Sequence, residues 1–464
     1  MKTRTFILTF LMMVCSSVFG QNHWNFNPYD YPENYGIVTT VKIDGTEQQA
    51  VGTIEVGAFC GDVVRGSAKI EKHNVIGNFI ARLQVYGAEN DVITFKIYNH
   101  ETGTEYVLSS TETLVLSNTM SDYTAVAPYA IEFNSVAQVE SVVYETLPAA
   151  IEAAQAGQTV KLLNDVALAA PITFAADDNI TLDLNGKDVT YTSSTAGDAM
   201  ITNNGQLTII DATGEGMISY KYTGAPDTSY GKGNYTIFNN GILTISAGTV
   251  ENTTAAMSHA SYAINTGAGA TLNVQGGKVL NLNSHAVRMV SFGTALNTVN
   301  ISGGYIEGTR ALQVQLPSSA AAAPEMDLNI TGGELKSNET TYNLAIYVYS
   351  NGQSAEKLSL EIDGGTFNGN IAINAAASNS MNENAVLVEG GTFNGEYGIF
   401  SYSEEASAKE VISIVGGTFK TNYAEMYAED DGYIFVKNGD VYNVEAGSYV
   451  AQINDGTKYE SLAE

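Results

Sequence analysis

Leu328-Asn329-Ile330-Thr331-Gly332-Gly333-Glu334-Leu335 is the clearest copy of a phrase repeated through the second half of this 464-residue chain. Apolar residues alternate on either side of a glycine pair. Near-copies occupy residues 272–279, 299–306, 360–367, 387–393 and 412–419, and a looser one with a single glycine lies at 243–250. The first glycines of the pairs fall at 276, 303, 332, 364, 390 and 416, giving a period of 26 to 32 residues. That interval is too short for a domain and indicates a stacked repeat. Alternation at period two is a strand signal, and the unit is too long for a hairpin. The glycine pair marks a sharp corner at which one residue is expected to need a positive φ. No amphipathic helix lies between the copies. The repeat therefore predicts one coil of a right-handed parallel β-helix, with about three short strands per coil and the apolar columns turned inward.

At the start of the chain, Lys2 and Arg4 precede an apolar run over residues 6–14, and Val18-Phe19-Gly20 follows as a small-residue cleavage pattern. Residues 1–20 read as a signal peptide, so the protein is expected to be exported to the cell surface or beyond. Cys15 raises the alternative of a lipoprotein, against which Val14 stands as a poor lipobox residue. No later stretch is apolar enough for a membrane span. Fifty acidic residues against 21 basic ones give a net charge of −29. Such a surface repels nucleic acid and anionic membranes. It is expected to hold Ca²⁺ only loosely, and no cofactor motif is present. After cleavage Cys60 alone remains, so there is no intramolecular disulfide and no cysteine metal site.

Residues 22–135 differ in character. Trp24, Phe26, Tyr29, Tyr31 and Tyr35 form an aromatic lead-in to strand-like runs at 37–43, 53–59, 63–70, 79–86 and 92–98. Weaker runs follow at 106–108, 114–116 and 130–133. Short strands separated by turn signals, with no helix, predict an antiparallel β-sandwich. The phrases His23-Trp24-Asn25-Phe26-Asn27-Pro28, Val56-Gly57-Ala58-Phe59-Cys60-Gly61-Asp62, Arg65-Gly66-Ser67-Ala68 and Ile93-Thr94-Phe95-Lys96-Ile97-Tyr98 resemble a module at the front of secreted proteins from Bacteroidetes bacteria. The resemblance covers about the first quarter of the chain. It implies export and a β fold, and no reaction.

Residues 144–157 predict one short helix, with Thr146 as cap, Pro148 in the first turn and Gly157 just past the end. Leu147, Ala150, Ile151 and Ala154 share a face, which would cover the open apolar end of the solenoid expected over residues 137–445. Ile180-Thr181-Leu182-Asp183-Leu184-Asn185-Gly186 begins the coils. This phrase, with the later Gly-Gly-Thr-Phe copies, resembles the non-enzymatic surface members of the pectin-lyase-like superfamily of right-handed β-helices. Near the far end, Val136-Ala137-Gln138-Val139 and Tyr144-Glu145-Thr146-Leu147 recur as Val450-Ala451-Gln452-Ile453 and Tyr459-Glu460-Ser461-Leu462. Residues 446–464 thus read as the start of a further, truncated repeat unit.

Two function classes follow. Polysaccharide lyases and glycoside hydrolases of the β-helix type act on acidic polysaccharide and need clustered carboxylates, whereas the acids here are scattered singly. Glu404-Glu405 and Glu429-Asp430-Asp431 read as solvated turns, and no catalytic set is assigned. The other class is an adhesin-like surface that contacts glycans or another cell-surface ligand. The strands that open several coils carry Ala263-Ile264-Asn265, Ala286-Val287-Arg288, Ala311-Leu312-Gln313, Ala345-Ile346-Tyr347, Ala372-Ile373-Asn374 and Gly398-Ile399-Phe400. With the central residue inward, Asn265, Arg288, Gln313, Tyr347 and Asn374 form one outward column of hydrogen-bonding and aromatic groups suited to sugars. Residues 220–234, with Tyr220, Tyr222 and Tyr230, and residues 316–324 are expected to loop out from the coils.

Overall fold

The computed structural model describes residues 22–109, 113–117, 120, 122–225, 233–255, 261–290, 295–316, 325–350, 357–374, 381, 385–403, 405–428, 431–449, 451–452 and 458–459. The segment read as a signal peptide, Tyr230, the stretch 317–324, Glu404, Glu429-Asp430 and most of 450–464 lie outside the described residues. The chain divides into two compact units, one ending at Ala153 and the other beginning at Ala154.

The first unit is built from antiparallel sheets. Glu33–Ile43 pairs antiparallel with Phe79–Gly87, and Ile54–Cys60 lies between Val63–Lys69 and Val92–Asn99. One departure is the parallel pairing of Glu33–Ile43 with Tyr129–Phe133. Alternation decides the core: Ile37, Val41, Leu83 and Val85 of one sheet are buried, as are Val56, Ala58, Phe95 and Ile97 of the other. Trp24 meets Phe59 edge-on at 5.5 Å, and a Cβ at Gly57 would lie 2.6 Å from the indole. The lead-in thus seals the core, except for Tyr29, which is exposed. The expected helix spans Leu147–Ala153, and the Thr146 hydroxyl accepts from Ala149 N–H at 3.2 Å. It ends one turn early and buries Leu147, Ala150 and Ile151.

The second unit is a right-handed parallel β-solenoid whose coils contribute strands to three walls. Each wall has an aliphatic ladder. In the first wall Leu182, Ile209, Ile245, Val274, Ile301, Ile330, Ile362, Val388 and Ile414 stand in register, each at most 1% exposed. In the second, Val189, Ile218, Val250, Val279, Ile306 and Leu335 give way to Phe367, Phe393 and Phe419. The third, nine-stranded wall runs inward through Ile172, Ile201, Ile237, Ile264, Val287, Leu312, Ile346, Ile371 and Ile399.

The glycine pairs sit at the corner between the first and second walls, and their two members do different work. The second takes positive φ, as at Gly333 (82°). The first permits close stacking: a Cβ at Gly332 would lie 2.4 Å from the Ser302 carbonyl oxygen of the preceding coil. The Leu182-Asp183-Leu184-Asn185-Gly186 phrase is also a corner. Asn185 (φ 48°) and Gly186 (φ 74°) turn the chain, and Asp183 accepts from Asn185 and Ala212 N–H.

Behind that corner, Asp211 accepts from the N–H groups of Gly186, Thr213 and Gly216 and from the Thr213 hydroxyl. Burial would raise its carboxyl, but these bonds prevail and hold it below its ordinary value of 3.8. Because the folded carboxyl titrates below the unfolded one, its contribution is complete above that value and fades only as the pH falls further. Asp211→Asn replaces one carboxylate oxygen with an NH2 group, which sets donor against donor at Gly216 N–H, and should cost about 1–3 kcal/mol at neutral pH. Denaturant midpoints should then show a smaller gap between variant and wild type at pH 3 than at pH 7. An equal gap at both would refute the assignment.

Two expectations change. Glu405 begins a second helix, Glu405–Val411, in place of a turn, because Glu405-Ala406-Ser407-Ala408-Lys409-Glu410 is rich in helix formers. Tyr220 and Tyr222 do not loop out. They belong to the second-wall strand Met217–Tyr222, where both are buried. Tyrosine's strand propensity and a place on the inward parity override the loop-like Gly-Pro context downstream. The parallel stack stops where Val441–Ala446 pairs antiparallel with Thr418–Phe419, closing the open edge of the second wall. Beyond it, Ala451 pairs with Tyr459 as Ala137 pairs with Tyr144, so the repeated phrase forms the same hairpin twice.

Candidate functional site

The third wall brings most of the expected column together. Asn265 pairs with Arg288, Arg288 with Gln313 and Gln313 with Tyr347. Asn374 is not in this row. A register shift between Leu344 and Ile346 places Ala372 opposite Tyr347. Asn374 follows Ile373, the partner of Val348, and so continues the neighbouring row of Gln315 and Tyr349. Ile371, not Ile373, faces Ile346, and the two isoleucines share the inward parity that the triplets rely on.

The row also extends beyond the five named residues. Thr202 and Phe238 precede Asn265, and Phe400 follows Ala372. Phe238 packs at 5.3 Å from Tyr235, whose ring stacks on Tyr262 at 6.0 Å. Thr202, Tyr235 and Phe238, with Pro171 and Asp198, line a concavity of about 520 Å³. At the other end Phe400 meets Tyr397 and Tyr402 at 5.4 and 5.1 Å, and Tyr397 meets Tyr423 at 4.9 Å. These three tyrosines are exposed. From Phe238 to Phe400 the row crosses six coil spacings, roughly 29 Å.

Its centre is less open than an outward column should be. Asn265 is 2% and Arg288 8% exposed, whereas Gln313 and Tyr347 are half-buried. Arg288 lies over the Tyr262 ring at 5.4 Å and donates from Nε and a terminal nitrogen to Gln315 Oε1 at 3.1 and 2.7 Å. Its other terminal nitrogen reaches Asn265 Oδ1 at 3.5 Å. Arg310 stacks on Tyr347 at 4.3 Å and donates to Gln313 Oε1 at 3.2 Å. Long side chains lying along the sheet, not standing off it, account for the burial.

The first wall behaves differently. The asparagines of the repeated phrase form an outward ladder in which Asn300 donates to Asn273 at 2.9 Å and Asn329 to Asn300 at 3.0 Å. Those amides satisfy one another.

Two carboxylate features escaped sequence reading. Asp363 and Glu389, far apart in sequence, meet on adjacent corners. Their hydrogen bond and mutual repulsion raise the Glu389 carboxyl. In the first unit, fully buried Glu55 receives His100 Nε2 at 2.7 Å and the His23 and Trp24 N–H groups, tying down the lead-in. Only the coil and strand pairings reveal either arrangement.

Among the described residues no group of three or more potential ligands is placed to hold a metal ion, and no helix is long and apolar enough to cross a membrane. No family model matches the chain, and no curated protein or solved structure is found to be similar to it.

Proposed function

We propose that this protein is a non-catalytic, exported, adhesin-like surface protein that contacts glycans through the outer face of the third solenoid wall. The observation that carries the reading is the row from Phe238 to Phe400. Aromatic rings lie at both ends, and amides, guanidiniums and Tyr347 lie between them, in register on one rigid sheet. Aromatic faces stack on sugar rings while amides and guanidiniums take hydroxyls. The length of the row suits an oligosaccharide more than a single sugar. Export and a Bacteroidetes source rest on the resemblance of residues 23–28, 56–62, 65–68 and 93–98 to a secreted module.

The rival class is a polysaccharide-cleaving enzyme. The Asp363–Glu389 pair is in direct hydrogen-bond contact on exposed corners. Glycosidase carboxylates stand about 5 Å or more apart, with the scissile bond between them. Incubation with pectin, alginate and glycosaminoglycans, with and without Ca²⁺, should yield neither unsaturated ends nor new reducing sugar. On a glycan array, Phe238→Ala and Tyr347→Ala should each weaken binding about tenfold, equivalent to about 1.4 kcal/mol. Binding that both substitutions leave intact, or an array with no bound glycan, would refute the reading.

A further inference from the structure

We propose that Arg288 and Arg310 form a built anion site in the middle of this row, which receives a carboxylate or sulfate group carried by the glycan. The inference rests on the glycan-contacting reading and narrows its ligand to an anionic saccharide.

A buried cation is costly to leave without a counter-charge. This chain has 50 acidic residues against 21 basic ones, so a carboxylate partner would be easy to supply. Elsewhere it does so: Lys42, Arg82, Lys96 and Lys336 each hold a carboxylate within 3 Å. Arg288 is more than nine-tenths buried, yet neither it nor Arg310 has a carboxylate within 4.0 Å among the described residues. Both are held by neutral acceptors, the amide oxygens of Asn265, Gln313 and Gln315, which position a guanidinium without cancelling its charge. Arg310 Nε is buried with no hydrogen-bond acceptor.

Burial also lowers Arg310's hold on its proton, only partly opposed by Tyr347, Glu339 and more distant groups. That is the direction for a cation without a counterion. The two side chains are neighbours, since Arg288 pairs with Gln313 and Gln313 accepts from Arg310. Tyr262 and Tyr347 supply flat faces beneath the two guanidiniums. Planar forks on adjacent coils match the oxygens of a carboxylate or sulfate. The net charge of −29 repels polyanions at long range, so a polyanion that binds at physiological salt needs such a local site.

The test uses the full chain and two matched pairs of immobilised polymers: hyaluronan with its carboxyl-reduced form, and dextran sulfate with dextran. The expected result is at least tenfold tighter binding to the charged member of one or both pairs. A preference within the first pair alone identifies carboxylate as the group, and within the second alone sulfate. Arg288→Gln and Arg310→Gln should each remove that preference without changing the melting temperature. If Arg288→Gln proves unstable, Arg310→Gln, at a less buried position, decides the matter. Equal binding to charged and neutral members overturns the anion site while leaving glycan contact standing. Absence of binding to both polyanions, or a preference untouched by Arg310→Gln, also overturns it, and the array then judges the broader reading on its own.

Discussion

Phe393→Ala is expected to destabilise the solenoid by about 3–5 kcal/mol, the range for deleting a fully buried aromatic side chain. The Phe393 ring lies between Phe367 at 4.8 Å and Phe419 at 4.3 Å, within 8° and 7° of parallel, and Phe419 continues to Phe435 at 4.8 Å. All three ladder rings are fully buried. Removing the middle one leaves a cavity and breaks two stacked pairs, each worth about 0.5–1.5 kcal/mol beyond area burial. A repeat protein's coils contact mainly their immediate neighbours, so the damage should be local. Hydrogen exchange should therefore rise first in the strands around Phe367 and Phe419, and less in the coils near Leu182. Guanidinium denaturation measures the total. A loss below about 1 kcal/mol would mean that the rings do not stack as described.

Gly332→Ala should cost about 3 kcal/mol, the upper part of the range for overpacking. The new methyl carbon would lie 2.4 Å from the Ser302 carbonyl oxygen and 3.1 Å from its carbon. Both are backbone atoms of the coil beneath, so neither can swing aside, and the coil spacing itself must open. Gly439→Ala provides the contrast. Gly439 also lies in the second unit at positive φ (65°), but nothing lies within 4 Å of its Cβ position. Only backbone strain of about 1 kcal/mol is expected there. If thermal melts show the two variants equally destabilised, close stacking is not what the first glycine of the pair provides.

The fold was legible because its signal is repeated. Period-two alternation around Gly276, Gly303, Gly332, Gly364, Gly390 and Gly416 states the strand, the corner and the coil length several times over. Thr146, Leu147 and Ile151 announced their helix by capping and periodicity, which are local effects. Tyr220 and Tyr222 were misplaced because strand and loop tyrosines look alike without knowledge of which parity faces the axis. Asn374 falls in the neighbouring row because Ile371 and Ile373 both face inward, and a three-residue pattern cannot tell which of them meets Ile346.

For the candidate site the division is sharper. Sequence alone determined that Asn265, Arg288, Gln313 and Tyr347 share a face, because side-chain direction follows from strand parity, a property of the chain itself. Tertiary structure decided that Phe238 extends the row, that Arg310 reaches Gln313 and Tyr347, and that neither guanidinium has a carboxylate within 4.0 Å among the described residues. Those facts depend on coil-to-coil register and on long side chains lying across neighbouring strands. Apart from the short-range bond of Arg310 to Gln313, these contacts join residues roughly two dozen or more positions apart, as Arg288 joins Asn265 and Gln315, and nothing in a local pattern encodes them.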